Sequence, residues 1–458
     1  MLPGPRTPLA AAVTAIALAA SPGCDDEPRA IDPFPVRFDP SAGPVMVGVD
    51  DGDGPRPAVI DTLAAITLLD PLAAGRDAGE ARRRRVTLTL LGLDDAGQAT
   101  VPRARFPDTT AIELHPCPGE AACTVGLADR TASFAAVIGA DVLGRSAVRI
   151  DFAAGELRFF PDTPGSEPEL GSECLAVFGN AFAGGGTLLV DGTEVPFSGR
   201  RPVLGACLDQ AGAPQDVERG TDALLLVSTG LGASVLAASA YDRYAAATGA
   251  PARDSLPEAL LHLATGPTPV RVGQVGRVAL VGRITEEGAE RGPCRELHLN
   301  RLVSVNACET QGLDCPCPDD DSFCRAAAAI DLDRPIDVAV LPDDHPLLQS
   351  LRDELRPSYP EVDGIVGADA LAPLRVELDY PNGRLVMRCL EGGSCATRPA
   401  VRSRSSVDTL ARCRAAEEAS VPDAGPDGGA EPDGGAEPDG GPVDAGGGVA
   451  GGGAPAGP

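Results

Sequence analysis

Lysine is absent from this 458-residue chain, whose 38 basic residues are all arginine. That removes Schiff-base chemistry and a phosphate-loop lysine. Tryptophan is absent too, and only 3% of residues are aromatic. Its cores must be filled by Val, Leu, Ile and Ala, which suits sheet-rich packing. Positive charge is scarce: 66 acidic residues give a formal net charge of -28, which repels nucleic acid and anionic headgroups. The one basic run, Arg82 to Arg85, reads as a solvated hairpin stem on an acidic surface. The four histidines, His115, His262, His298 and His345, are scattered and suggest neither a triad nor a metal set.

What is present begins with an export signal. Arg6 precedes an apolar run from Leu9 to Ala20 and then Ser21-Pro22-Gly23-Cys24. The run is too short to cross a bilayer, and its small-residue end reads as a secretory cleavage site after residue 23. Gly23-Cys24 resembles the bacterial lipobox, although Ser21-Pro22 departs from its usual Leu-Ala pair. The resemblance implies a diacylated Cys24 and an exported lipoprotein, anchored to a membrane of the bacterial envelope or the cell surface. Twelve cysteines remain, an even number in an oxidising compartment, which argues for up to six disulfides. Cys117 and Cys123 are expected to pair locally. Cys308, Cys315, Cys317 and Cys324 lack the paired C-x2-C spacing of zinc modules and have no histidine nearby, so they read as further disulfides. No metal and no cofactor is expected.

From Ala419 the chain becomes acidic Pro/Asp/Gly repeats and then Gly-rich sequence, unable to bury apolar surface. Residues 419–458 are therefore expected to be a disordered tail. A Pro/Gly/Ser/Glu stretch at 162–173 separates two sheet-rich regions, and it is between these that the sequence repeats itself. The segment from Val137 to Leu157 recurs without a gap from Ile365 to Leu385. Gly139, Ala140, Asp141, Leu143, Val148, Asp151, Gly155 and Leu157 match Gly367, Ala368, Asp369, Leu371, Val376, Asp379, Gly383 and Leu385. Each copy reads as an apolar strand ending in Gly, a short helix, and a hairpin with a Gly turn.

A weaker repeat lies upstream of each copy. The strand Ala58 to Ile60 runs into Asp61-Thr62-Leu63, and Ala223 to Val227 runs into Ser228-Thr229-Gly230. The acidic turn from Asp50 to Gly54 lacks the twelfth-position ligand of an EF-hand and reads as a plain turn. A strand ending in Asp-Thr-Gly, then two apolar residues and Gly, a helix and a hairpin, is the lobe pattern of aspartic peptidases. This sequence resembles two such lobes in one chain, at 36–161 and 174–395, in the pepsin-like arrangement with retropepsin-like lobe motifs. The fold implied is mainly β, with two tandem lobes and short helices. A linker at 24–35 would precede them and a helical segment at 396–418 would follow.

The resemblance implies two carboxylates facing each other across the lobes, with each loop's Thr bracing the opposite loop. Asp61 and Thr62 match the first loop, but Leu63 replaces its Gly. Thr229 and Gly230 match the second, but Ser228 replaces its Asp. Gly139 and Gly367 match the motif glycines, and the hairpin from Val86 to Phe106 takes the place of the flap. A Ser hydroxyl cannot do a carboxylate's work, and losing one member of an acid–base pair costs on the order of 10² to 10⁴ in rate. No G-x-S-x-G elbow surrounds Ser228. Two readings follow. In one, a catalytically silent or very weak relative binds an extended peptide or a protein partner in the interlobe cleft. In the other, an active endopeptidase uses Asp61 with a second carboxylate the sequence does not identify; Asp222, six residues before Ser228, does not simply substitute.

Overall fold

Alternation of apolar residues gives Met46–Asp50 and Arg56–Ile60 one inward face, so Val47, Val49, Ala58 and Ile60 are buried. In the computed structural model these strands close a barrel with Ala136–Ile138, Leu68–Leu69, Ala99–Glu113 and Arg82–Leu93. The structure describes residues 35–40, 43–93, 99–117, 120, 122–128, 130–160, 176–179, 181–212, 220–281, 283–284, 296–298, 329–332, 334–355, 362–390 and 395–398. All belong to one compact unit, and they are mostly β. The signal segment with Cys24, the linker 162–173, the Cys308 to Cys324 cluster and the tail 419–458 lie outside them.

The second lobe is built the same way. Thr221–Val227 runs parallel to Gly364–Val366, as Arg56–Ile60 runs parallel to Ala136–Ile138. Ser234–Ala237 then pairs antiparallel with Gly364–Val366, as Leu68–Leu69 pairs with Ala136–Ile138. In each lobe the motif glycine follows the inner strand and opens a one-turn helix, Ala140–Leu143 or Ala368–Leu371. Both glycines are set by close approach. A Cβ on Gly139 would sit 2.7 Å from the Ala64 carbonyl oxygen, and one on Gly367 would sit 2.9 Å from that of Leu231.

Beneath the lobes the two repeated hairpins, 147–160 and 374–389, join edge to edge in one antiparallel sheet. Arg149 lies opposite Glu377, with Asp151 opposite Arg375 and Ala147 opposite Asp379. Positions 149 and 377 correspond in the repeat, so the approximate twofold relating the lobes passes between them. Identical charged residues there would repel. Instead Arg149 Nε donates to Glu377 Oε1 at 2.8 Å, and Arg375 donates to Asp151 Oδ2 at 2.9 and 2.6 Å.

Two features that look separate in the sequence meet at the end of the barrel. Asp51 of the acidic turn, fully buried, pairs with buried Arg56, and Arg84 of the basic run donates to Asp51 and Asp53, both at 2.9 Å. Thus Arg84 is neutralised by the turn, while Arg82 pairs with Glu113 at 2.6 Å. Cys117–Cys123 and Cys389–Cys395 are disulfides with Cα atoms 5.6 and 5.7 Å apart. Asp70, His115 and Cys123 bring donor atoms within 4.8 Å of one another, yet the Cys123 sulfur is already in its disulfide.

Two boundaries differ from the sequence reading. Cys395–Arg398 is a strand paired with Ala329–Leu332, so residues 396–398 extend the second lobe's sheet instead of opening a helix. The hairpin containing Val86 to Phe106 forms two staves of the barrel, with Val86, Leu88, Leu90 and Phe106 buried in its core. Its alternating pattern serves barrel closure, not a flap.

The axial ion pair can be tested by charge reversal. Glu377→Arg should place two guanidiniums opposite each other and lower stability by about 1 kcal/mol or more. Arg149→Glu on that background should restore most of the loss, as read by the urea midpoint.

Candidate functional site

The two loops meet where the inner strands of the barrel and of the second lobe end. The Asp61 N–H donates to the Ile138 carbonyl at 3.0 Å, and the Ser228 N–H donates to that of Val366 at 2.9 Å. Each loop is thereby tied to its own lobe's inner strand. The next residues tie the lobes together. The Thr62 hydroxyl donates to the Val227 carbonyl at 2.5 Å and the Thr229 hydroxyl donates to that of Ile60 at 2.7 Å. Each hydroxyl also accepts the other threonine's backbone N–H at 3.3 Å. Both threonines are fully buried, so these bonds face no competition from water.

Asp61 and Ser228 stand side by side above this brace. Ser228 Oγ donates to Asp61 Oδ1 at 2.9 Å and accepts the Leu231 N–H at 2.9 Å. Asp61 Oδ1 also accepts the Leu63 N–H at 2.9 Å. Burial pushes the Asp61 carboxyl above its ordinary range, opposed by the Leu63 N–H, the Ser228 hydroxyl, the Arg201 charge and the Gly230 N–H. Gly230 is required here, because a Cβ would lie 2.6 Å from Asp61 Cγ. The pseudo-twofold carries that contact onto Leu63 and Ser228. By that correspondence Leu63 is the counterpart of Gly230 and Ser228 the counterpart of Asp61, so the two loops differ at equivalent positions.

A second pair of carboxyls supports the loops. Thr67 Oγ1 donates to Asp141 Oδ1 at 2.8 Å and accepts the Gly139 N–H at 3.3 Å. Ser234 Oγ donates to Asp369 Oδ1 at 2.9 Å and accepts the Gly367 N–H at 3.1 Å. Burial pushes Asp141 up, and it pushes Asp369 up to about 6.

Asp61 and Ser228 line a cavity of about 610 Å³ between the lobes. Its walls are mainly apolar, with Val59, Leu63, Phe134, Leu231, Leu263 and Leu351 among them. Its upper edge comes from both lobes: Val125 and Phe134 of hairpin 123–134, and Leu263, Ala264 and Thr265 of hairpin 258–275. These hairpins pair antiparallel, Leu127 opposite Leu261 and Gly126 opposite His262. Among the described residues lining it, Asp61 is the only carboxylate. Asp222 lies on Thr221–Val227 opposite Cys207, well back along the strand from Ser228.

Several cavity residues had no signature in the sequence. Arg201 lines the cavity and donates from Nε and Nη2 to Glu354 Oε1 and Oε2 at 2.8 and 2.6 Å. Glu354 lies on helix Pro346–Leu355, whose Leu348, Leu351 and Leu355 recur at helical spacing and are buried. That spacing was legible; a paired Arg200-Arg201 looks like any surface strand. His345, also in the lining, is shifted down by burial.

No family model matches the chain, and no curated protein is detectably similar to it. Among solved structures, an aspartic proteinase from Irpex lacteus aligns with a TM-score of 0.33 and 12% identity, over 78% of this chain and 97% of that one. At that level the likeness decides nothing about activity.

Raised carboxyls fix the sign of the pH dependence. Asp369 holds its proton to about 6, against 3.8 without burial. Its contribution is fully present below pH 3.8 and lost as pH rises through about 6. Asp61 and Asp141 act in the same direction. Stability should therefore rise as pH falls from 7 toward 4. Asp369→Asn should gain stability at pH 7, by up to about 3 kcal/mol, and should flatten that part of the profile. A urea series across pH 4 to 7 measures both.

Proposed function

We propose that this chain is a binding protein with an aspartic-peptidase-like site whose proteolytic chemistry is vestigial or lost, and that it takes an apolar peptide segment between its lobes. The observation that carries this reading is the hydrogen bond from Ser228 to Asp61. Aspartic peptidase chemistry needs two carboxyl groups sharing a proton, one to deprotonate water and one to polarise the scissile carbonyl. Here a lone Asp61 faces a hydroxyl that already donates to it and accepts from Leu231. Ser228 is itself fully buried, which argues against its acting as a nucleophile. The threonine brace and the apolar walls are what a binding role requires, and neither depends on the missing acid.

The reading extends to location. The segment ending in Gly23-Cys24 would direct export, with Cys24 carrying a lipid that anchors the protein to a membrane. No helix among the described residues is long and apolar enough to cross one. Mass spectrometry of the mature N-terminus should find a diacylated Cys24; an unmodified Cys24 or another start would remove the anchor.

The site itself is tested by rebuilding it. Ser228→Asp with Leu63→Gly should restore a coupled pair of carboxyls and cleave an unstructured protein at pH 3 to 5. Ser228→Asp alone should not, because Leu63 still stands at the position of the loop glycine and lines the cavity. Cleavage by the double variant should be blocked by a peptide-like aspartic-peptidase inhibitor and abolished by Asp61→Asn. Robust cleavage by the natural protein that survives Asp61→Asn would refute the reading.

A further inference from the structure

One charged group in the cavity lining points to a particular ligand. Arg201 is only 9% exposed, and Glu354 occupies two of its nitrogens, Nε and Nη2. Among the described residues its third nitrogen, Nη1, finds no hydrogen-bond partner, although the residue lines the cavity. An arginine edge in a mainly apolar lining is a strong site for an acceptor, above all a carboxylate, because little water competes there. We propose that the interlobe cavity receives the C-terminal end of an apolar peptide, whose terminal carboxylate is bound by the remaining edge of Arg201. This rests on the binding reading above and names the ligand for it.

Size agrees with a chain end. About 610 Å³ lies within the usual range of roughly 300–1,000 Å³ for small-ligand pockets, enough for a short segment. The paired hairpins 123–134 and 258–275 stand over it from both lobes. Polar groups are interspersed among the apolar walls: Asp61, Thr265 and His345. A peptide backbone can pair with them, whereas a hydrocarbon chain would leave them unpaired.

Charge is consistent with this occupant under mildly acidic conditions. The charged and titratable groups facing the ligand are Asp61, Arg201 and His345, with Glu354 behind Arg201. Glu354 balances Arg201, and Arg200 is turned away to donate to the Gly144 carbonyl. A ligand carboxylate close to Asp61 requires that one of the two hold a proton. Burial favours the proton on Asp61, while a peptide C-terminus, with an ordinary pKa of about 3.5, stays ionised at pH 5.

Calorimetric titration of the full natural chain at pH 5 tests this with three probes: acetyl-Leu-Leu-Val as the free acid, the same peptide as its C-terminal amide, and decanoate. The acid should bind at least about tenfold more tightly than the amide, the difference one charge-assisted contact makes. Arg201→Gln combined with Glu354→Gln removes both charges together, so neither is left buried alone, and should bind acid and amide alike. Equal binding of acid and amide by the natural protein would overturn the role of Arg201 while leaving a peptide-binding cavity standing. No binding of either peptide would overturn both the inference and the reading beneath it. Decanoate binding as tightly as the peptide acid would overturn the peptide as occupant. The acid-to-amide comparison in the natural protein decides the matter even if the double variant does not fold.

Discussion

Everything in the site hangs on the reciprocal bonds of Thr62 and Thr229. Each hydroxyl reaches across to the last carbonyl of the strand that leads into the opposite loop, Val227 or Ile60, and each accepts the other's N–H. Four bonds in a fully buried setting fix the loops' separation to hydrogen-bond tolerance. Removing either hydroxyl would strand a buried carbonyl and a buried N–H together, a penalty of about 1–3 kcal/mol for each group. Such a brace acts on position alone and is indifferent to what chemistry stands above it. It therefore fixes where Asp61 and Ser228 stand at the cavity wall.

Above the brace the two loops are unlike, with Asp61 and Leu63 on one side and Ser228 and Gly230 on the other. Gly230 leaves room for Asp61, while Leu63 adds its side chain to the cavity lining. The outcome is a site with one acid, one hydroxyl and an apolar wall. Arg201 adds a positive charge to the lining, and its charge opposes the upward pull of burial on Asp61. The lining thus carries one acid and one guanidinium, the latter held by Glu354.

Much of the fold was legible because symmetry doubled the signal. Eight ungapped matches between 137–157 and 365–385 marked a duplicated lobe, and Gly139 and Gly367 among them report close backbone approaches that leave no room for a Cβ. The position of Asp61 and Ser228 followed from the same repeat. The hairpin over the cavity did not follow. An amphipathic hairpin inside a barrel and one over a cavity share the period-two pattern, so 82–113 and 123–134 could be told apart only by what they pack against. Arg201 and Glu354 were invisible for a related reason. They meet across 153 residues, and nothing local to either position records the other.

The symmetry also shows where divergence has been possible. In a dimer of identical chains every residue on the twofold faces its own copy, so an acid there always opposes an acid. Fusing the lobes into one chain lifts that constraint position by position. Arg149 faces Glu377, Asp61 faces Ser228, and Leu63 stands where the other lobe has Gly230. Each of these lies on or beside the axis, and each has become unlike its partner. Thr62 and Thr229 lie there too and remain alike, because a reciprocal bond needs the same donor and acceptor on both sides. The split between positions that differ and positions that are alike thus follows from geometry: side chains that meet only each other across the axis need only be complementary, as Arg149 is to Glu377 and Ser228 to Asp61, whereas residues that bond to each other's backbone need the same group on both sides.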